Sequence, residues 1–410
     1  MSNSPLGNRD LIRAINRSII LNTIKRMGLV ARAEAARLTG LSPATVTGIT
    51  ADLIDEGLVF EKEPGDSSGG RRPIMLAINP NGAFVAGIKL MENVVVGALV
   101  NLEGAVVCKL SVPLAERVPE AALEVIARLV DTLVSCAEVP HERLLGVGLG
   151  LAGIVDSERG VLRRSPYLGW RDLPLRDLLQ ARLNVPVSID NDVNTLTLAE
   201  QWFGAGQGVD DFLAITVGRG VGLGIVANRQ FYRGVHGGAG EFGHTVVDPQ
   251  GPLCDCGKRG CLEAFVGDPG LLRAAREMYA VVAEMPRRGV STVVPQSTDE
   301  LLALAEAGDA SARAVFARAG EILGRSVANL INIFNPERVI ISGEGARYGK
   351  WLFEPMLAAV AVHAMPALRE DALISIEPWG DDAWARGAAS LVLRQLFEHP
   401  VRRDEITALA

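Results

Sequence analysis

Five cysteines in 410 residues are too few, and of the wrong parity, for a disulfide framework in a chain long enough to fold without one. Cys108 and Cys136 stand alone, and Cys254, Cys256 and Cys261 crowd together. The first residues, MSNSPLGNRD, lack the basic-then-apolar layout of a secretory leader. The longest apolar run, LLGVGLGLAGIV at 144–155, is too short to span a bilayer and glycine-rich enough for a buried strand. These absences predict a cytoplasmic protein with reduced thiols and no membrane insertion. Net basic charge is also missing: the chain carries 41 Lys and Arg against 48 Asp and Glu, so −7. Residues 1–80 hold ten of those cations and eight of the anions, leaving an acidic remainder. An acidic body argues against general nucleic-acid binding, while the slightly basic head permits it locally. The length predicts about two to four domains.

The head reads as a winged helix-turn-helix. Ile12, Ile15, Ile19, Ile20, Ile24 and Met27 recur at near-helical spacing, with Arg13, Arg17 and Lys25 between them. RAEAARLT fits a second short helix stopped by Gly40. In LSPATVTGITADLIDEGLV, Ser42 suits the N-cap and Pro43 the first helical position, and Val46, Ile49 and Leu53 form the buried stripe. Ser42, Pro43, Ala44, Thr45, Thr47 and Gly48 are then left as a small-residue N-terminal turn able to approach DNA closely. After Gly57 the chain reads strand, turn, strand, with Arg71 and Arg72 beside the turn, placed for a narrow minor groove.

The body contains an internal echo. GIKLMENVVVGALVNLEG (87–104) and AITVGRGVGLGIVANRQF (214–231) align at an offset of 127, each reading strand, tight turn, strand, with helical segments at 119–136 and 311–334. Such a duplication suggests a two-lobed α/β protein with a central cleft.

The stretch GEFGHTVVDPQGPLCDCGKRGCLE (240–263) sets His244, Cys254, Cys256 and Cys261 at spacings suited to one Cys3His zinc ion. Gly257 and Gly260 supply the turns, and Lys258 and Arg259 offset the thiolate charge. Four protein ligands leave no open position, so the ion would be structural, one per chain. Its imidazole has a second nitrogen to offer, and Glu241 and Glu263 lie close in sequence to the ligands. Locked to one ion, these groups make a receptor for a row of sugar hydroxyls.

GEFGH, CDCGKRGCLE, IDNDVNTLTLAE, TVGRGVGLGIV, LGLAGIVD and LGWRDLPL occur in the order found in the ROK family (repressors, open reading frames and kinases), and residues 81–398 resemble that family. The resemblance implies an actin-like two-lobed sugar-kinase fold behind the winged helix-turn-helix, and with the head it points to the family's sugar-responsive transcriptional repressors. It further implies that Gly153, Asn191, Asp192, Glu241, His244 and Glu263 contact the sugar. The domains are expected at 1–80 (head), 81–195 and 196–398 (lobes, the second with the zinc site) and 399–410 (tail).

Kinases of the family open the first hairpin with Asp-x-Gly-Gly-Thr, where the Asp serves magnesium and the glycines wrap phosphates. Here Lys89 takes the Asp position, and Met91, Glu92 and Asn93 replace Gly-Gly-Thr. Arg219 replaces a usual Thr, Glu344 enters a turn that is usually all glycine, and Tyr167 replaces an Asn. Trp170 suits either a core position or a stacking platform. We therefore expect a non-enzymatic repressor that binds operator DNA as a homodimer or higher homo-oligomer and answers a sugar. The alternatives are an active ATP-dependent sugar kinase with an accessory head, or control by a protein partner, for which LFEHPVRRDEITALA is a conceivable docking segment.

Overall fold

The computed structural model describes residues 8–62, 74–284, 294–378 and 382–397. The head comprises α1 (Asn8–Met27), β1 (Val30–Ala31), α2 (Arg32–Thr39), α3 (Pro43–Asp55), β2 (Val59–Lys62) and β3 (Met75–Ile78), the strands forming one sheet in the order β1-β3-β2. Its punctuation follows from local chemistry. Gly40 closes α2 at φ 70°, and the Ser42 side chain accepts the Thr45 N–H at 3.1 Å, with Pro43 following. Val46, Ile49 and Leu53 are buried, as their spacing predicts, and so is Thr50, whose hydroxyl accepts from Arg32 Nε at 3.1 Å. Arg13 and Arg17 pair with Asp52 and Glu56, so two cations of the head brace α3. The buried stripe of α1 is narrower than expected: Ile20, Leu21 and Ile24 are buried, but Ile12 and Met27 are 49% and 46% exposed. A 20-residue helix simply overruns the shorter helices it packs on. Arg71, Arg72 and residues 399–410 lie outside the described residues.

The chain packs into two compact units. One takes in the head and the chain up to Leu151, then Pro174–Asp190 and the segment from Trp384; the other comprises Ala152–Leu173 and Asn191–Ala383. They are discontinuous in sequence, where consecutive lobes at 81–195 and 196–398 were expected.

Beyond the head, the first unit holds β4 (Phe84–Leu90), β5 (Val94–Asn101), β6 (Val106–Pro113), α4 (Pro119–Cys136), β7 (Leu144–Leu151), α5 (Leu175–Leu183), β11 (Val187–Asn191) and most of α13 (Asp382–Phe397). Its sheet runs β11-β7-β4-β5-β6, with β4 antiparallel to β5 and parallel to β7. Every residue of β4 is buried. A Cβ on Gly87 would lie 1.9 Å from the Ala385 carbonyl oxygen and one on Gly148 1.7 Å from that of Ala388, so α13 seats its backbone directly on the sheet.

One expectation is corrected in this unit. Cys108 and Cys136 do not stand alone; the structure joins them in a disulfide. Their 28-residue separation conceals that α4 packs back across β5 and β6, which brings its last residue beside Cys108.

The second unit begins with the small sheet β8 (Ile154–Asp156), β9 (Val161–Arg164) and β10 (Arg171–Leu173), followed by α6 (Asp192–Phe203). Its main sheet joins β12 (Phe212–Val217), β13 (Val221–Ala227), β14 (Gln230–Phe231), β15 (Arg338–Ser342) and β16 (Leu373–Ile376) in the order β14-β13-β12-β15-β16. α7 (Glu263–Val266), α8 (Asp268–Glu284), α9 (Thr298–Glu306), α10 (Ala310–Phe334), α11 (Gly349–His363) and α12 (Pro366–Asp371) complete it. The two sheets share one plan: an antiparallel hairpin at the centre, then two further strands on the side of its first strand. The sequence echo is thus a structural repeat, with β4–β5 answering to β12–β13. No described helix is long and apolar enough to cross a membrane.

Candidate functional site

The candidate sugar residues all belong to the second unit. Asn191 caps α6, its Oδ1 accepting the N–H groups of Val193 at 2.8 Å and Asn194 at 3.3 Å. Its Nδ2 donates to the Gly153 carbonyl at 2.9 Å, so this amide fixes the Gly153 loop as well as the helix start. Gly153 has φ 131°, and a Cβ there would fall 2.2 Å from the Arg164 carbonyl oxygen, which leaves glycine as the fitting residue. Asp192 opens α6 and accepts the Val193 N–H at 3.0 Å.

Glu241 and His244 lie on one short turn, and Glu263 opens α7. Nε2 of His244 is 3.7 Å from Glu241 Oε2, while Nδ1 is 3.6 Å from Cys254 Sγ. The imidazole therefore turns one nitrogen to the thiols and the other to the carboxylate. Cys256 and Cys261 sulfurs are 3.6 Å apart, and the donor atoms of His244, Cys254, Cys256 and Cys261 all lie within 4.8 Å of one another. Tetrahedral zinc, with sulfur at about 2.3 Å, separates its ligand atoms by about 3.8 Å, so three thiols and an imidazole in this arrangement fit the ion. Lys258 Nζ donates to the His244 carbonyl at 2.8 Å and brings a cation to the cluster.

Glu263 approaches His244 from another side. Its Oε2 accepts the Val221 N–H at 3.1 Å, and Oε1 is 4.0 Å from His244 Nδ1. Burial raises the Glu241 carboxyl above its ordinary range; His244 opposes the shift, and Glu263 and Asp192 reinforce it. Three carboxylates thus feel one another around a single small region.

Two residues noticed only as departures from kinases meet here. The Arg219 guanidinium stacks on the Tyr167 ring at 4.6 Å. Burial pushes the Tyr167 hydroxyl up to about 12, Glu263 adds to the shift and Arg219 opposes it. Arg219 and Tyr167 sit at positions 52 residues apart, and no spacing rule connects them. Trp170 is 7% exposed and belongs to the core.

The residues that depart from the kinase motif make contacts within this chain. In the first unit, buried Lys89 lies 3.7 Å over the Trp384 ring, and Arg117 donates to Glu92 at 2.8 Å and to Asn93 at 2.7 Å. In the second, Glu344 presses on the glycine turn, so that a Cβ on Gly218 would lie 2.5 Å from its Oε2.

At the head, Ser42, Pro43, Ala44, Thr47 and Gly48 are exposed and Thr45 is half-buried. Thr47 donates its hydroxyl to the Pro43 carbonyl at 2.8 Å, and the hydroxyls of Ser42 and Thr45 lie 2.8 Å apart. The threonine methyl groups and the remaining acceptor lone pairs of the hydroxyls are what this turn offers to a ligand.

Residues 85–395 match the model of the ROK family. The chain belongs to that family. This ROK protein is 32% identical over 96% of its length to the xylose repressor of Caldicellulosiruptor bescii, covering 99% of that protein. It is 31% identical over 96% of its length to the DNA-binding transcriptional dual regulator NagC of Escherichia coli K12, covering 95% of it. Among solved structures, a ROK family transcriptional regulator, homologous to the E. coli MLC protein, superposes with TM-score 0.84 and 28% identity, covering 95% of this chain and 97% of the other. A ROK glucokinase of Streptomyces griseus, solved with glucose and AMPPNP, superposes with TM-score 0.64 and 29% identity. Nearly all of the glucokinase (99%) is matched, but only 75% of this chain. The fold expected from the motifs, an actin-like body behind a winged helix-turn-helix, is the fold of this family's repressors.

Proposed function

We propose that this ROK protein is a transcriptional repressor whose head binds operator DNA and whose second unit binds a sugar effector, without phosphoryl transfer. The observation that carries this reading is one of coverage: a whole glucokinase answers to three quarters of the chain, whereas relatives named as a repressor and a DNA-binding transcriptional regulator answer to 96% of it. In this reading the N-terminal turn of α3 enters the major groove, and a second copy of the chain meets the other half of a pseudo-palindromic operator. Gly48 fits the role. A Cβ there meets nothing within 4 Å, so the protein itself gains nothing from glycine in mid-helix. Gly48→Ala should stabilise α3 by about 1 kcal/mol and weaken operator binding severalfold; a gel-shift titration giving unchanged affinity would place the DNA elsewhere.

In the sugar pocket, Asn191 holds Gly153 in place, and Asp192, Glu241, Glu263 and the outward nitrogen of His244 accept or donate to hydroxyls. His244, Cys254, Cys256 and Cys261 would hold one zinc ion, which supplies a fixed four-way link between the two loops and no open coordination position. Asp192→Asn and Glu241→Gln should each weaken sugar binding by about 1 to 3 kcal/mol, since each removes a charge-assisted acceptor. Calorimetric titration of xylose, glucose and N-acetylglucosamine into both variants tests the pocket; wild-type affinity in both would put it in the wrong place.

The absence of phosphoryl transfer rests on the cation at position 89, the clamped Glu92 and Asn93, and Glu344 against Gly218. Incubation with magnesium-ATP and these sugars should yield no sugar phosphate above a no-enzyme control. Turnover that disappears in Asp192→Asn would establish the kinase instead.

A further inference from the structure

Beside the proposed sugar residues the second unit has a shallow, open, mainly apolar cavity of about 590 Å³. Ile154, Ile225, Tyr232, Val235, His236 and Ala239 line it. It adjoins the sugar residues on two strands of chain, because Ile154 follows Gly153 and the lining residue Gly240 precedes Glu241.

The loop that forms its wall is firmly held yet wears apolar groups outward. Gly237, at φ 77°, packs so close that a Cβ would lie 1.8 Å from the Val155 carbonyl oxygen, and one on Gly240 would lie 2.0 Å from that of Leu223. The Tyr232 N–H donates to the Ile225 carbonyl at 2.9 Å and the Ala239 N–H to the Arg233 carbonyl at 3.0 Å. His236 Nδ1 sits 3.8 Å from the carboxylate of buried Asp156. Despite this anchoring, Tyr232 is 58% and Val235 88% exposed. A loop fixed in place has spent its conformational freedom already, so the apolar side chains it leaves in water form a preorganised surface for something that covers them.

We infer that this cavity receives the second ring of a glycosidically linked disaccharide whose first ring lies among Asp192, Glu241, His244 and Glu263. The inference rests on the sugar-binding reading above and extends it. A pyranose offers two kinds of surface: C–H faces that cover an aromatic ring or an aliphatic side chain, and a rim of hydroxyls. Tyr232 and Val235 match the first, and the phenol and the imidazole of His236 match the second. The carboxylates that crowd the first-ring site have no counterpart in this cavity's lining, so an apolar ring face is the better match there than another densely hydroxylated edge.

The test compares xylose with xylobiose, and N-acetylglucosamine with N,N′-diacetylchitobiose, by calorimetric titration into the full chain. At least one disaccharide should bind about tenfold tighter than its monosaccharide, the effect of covering one ring face. Tyr232→Ala and Val235→Ser should each remove most of that advantage while leaving monosaccharide affinity within about twofold, whereas Asp192→Asn weakens both sugars. Both substituted side chains are exposed, so loss of fold is not the expected result; an unchanged melting temperature checks it. Equal affinity for each pair, or an advantage that survives Tyr232→Ala, overturns the inference and leaves the surface to a macromolecular partner. Failure of every probe to bind the wild-type chain sinks the sugar reading itself, and this inference with it.

Discussion

Cys256→Ser is expected to lose the metal, lower the melting temperature by roughly 10 °C and weaken sugar binding by more than about tenfold. The metal would join groups on a loop otherwise held by backbone hydrogen bonds, among them Val247 N–H to the Gly260 carbonyl and Cys254 N–H to the Lys258 carbonyl, each at 2.8 Å. Between Thr245 and Leu262 its cross-connections include the isolated bridges Val246 to Cys261 and Leu253 to Arg259. Val246 and Leu253 are 47% and 62% exposed, so apolar burial at these positions contributes little. Without a cation, burial pushes the Cys254 thiol up to about 12, and three thiolates in one place require a positive ion to remain together. Elemental analysis should find about one zinc per chain in the wild-type protein. The sugar effect follows from geometry: freed of the metal, the imidazole can turn, and Glu241 and Glu263 lose their common reference. A metal-free variant that melts as the wild type does, or binds sugar with full affinity, would show that the cluster neither supports the loop nor organises the pocket.

Glu200→Gln is expected to stabilise the protein at pH 8 by about 2 to 3 kcal/mol and to flatten its stability between pH 4.5 and 7. Glu200 lies in α6 with no exposed surface, its Oε2 accepting the Ala205 N–H at 2.8 Å and its Oε1 without a hydrogen-bond partner. Burial raises its carboxyl from 4.5 to about 7; Ala205 and Arg338 oppose the shift and Glu377 adds to it. A raised carboxyl means that the folded chain binds more protons than the unfolded one between those values. Stability must therefore fall as pH rises through that window and stay low above it. Glutamine keeps an acceptor for Ala205 and carries no charge to desolvate. Urea unfolding at pH 5 and pH 8 measures the difference; equal gains at both would assign the effect to packing rather than ionisation.

Glu200 also marks where sequence reading stops. It stands in IDNDVNTLTLAE, a stretch whose value to the argument lay in Asn191 and Asp192, and a glutamate at a helix end looks solvated until packing is known. The cluster of three thiols and an imidazole was legible because its members crowd within 18 residues and no other cysteine or histidine is present there. The head was legible because Ser42-Pro43 and Gly40 act on backbone they adjoin. Contacts made across long separations were not: Cys108 with Cys136, Tyr167 with Arg219, and Lys89 with Trp384 each depend on which elements pack together. The repeated hairpins foretold two sheets, yet not that segments 174–190 and 384–397 return to the first unit.

That return has a consequence for how the protein is made. The groove prepared by Gly87 and Gly148 in the first unit is filled by Ala385 and Ala388, which follow them by 298 and 240 residues, and Phe397 lies under Lys25 of the head's first helix at 4.5 Å. A ribosome delivers the winged helix-turn-helix first and has completed its neighbouring sheet by Asn191, then makes the bulk of the second unit, and only afterwards the helix that covers that sheet. Nascent chains must hold an open apolar face through about half of their synthesis. A stop codon just before Trp384 would remove a small fraction of the mass and yet leave one face of the earliest-made sheet permanently open, a fault borne by the beginning of the protein rather than by its end.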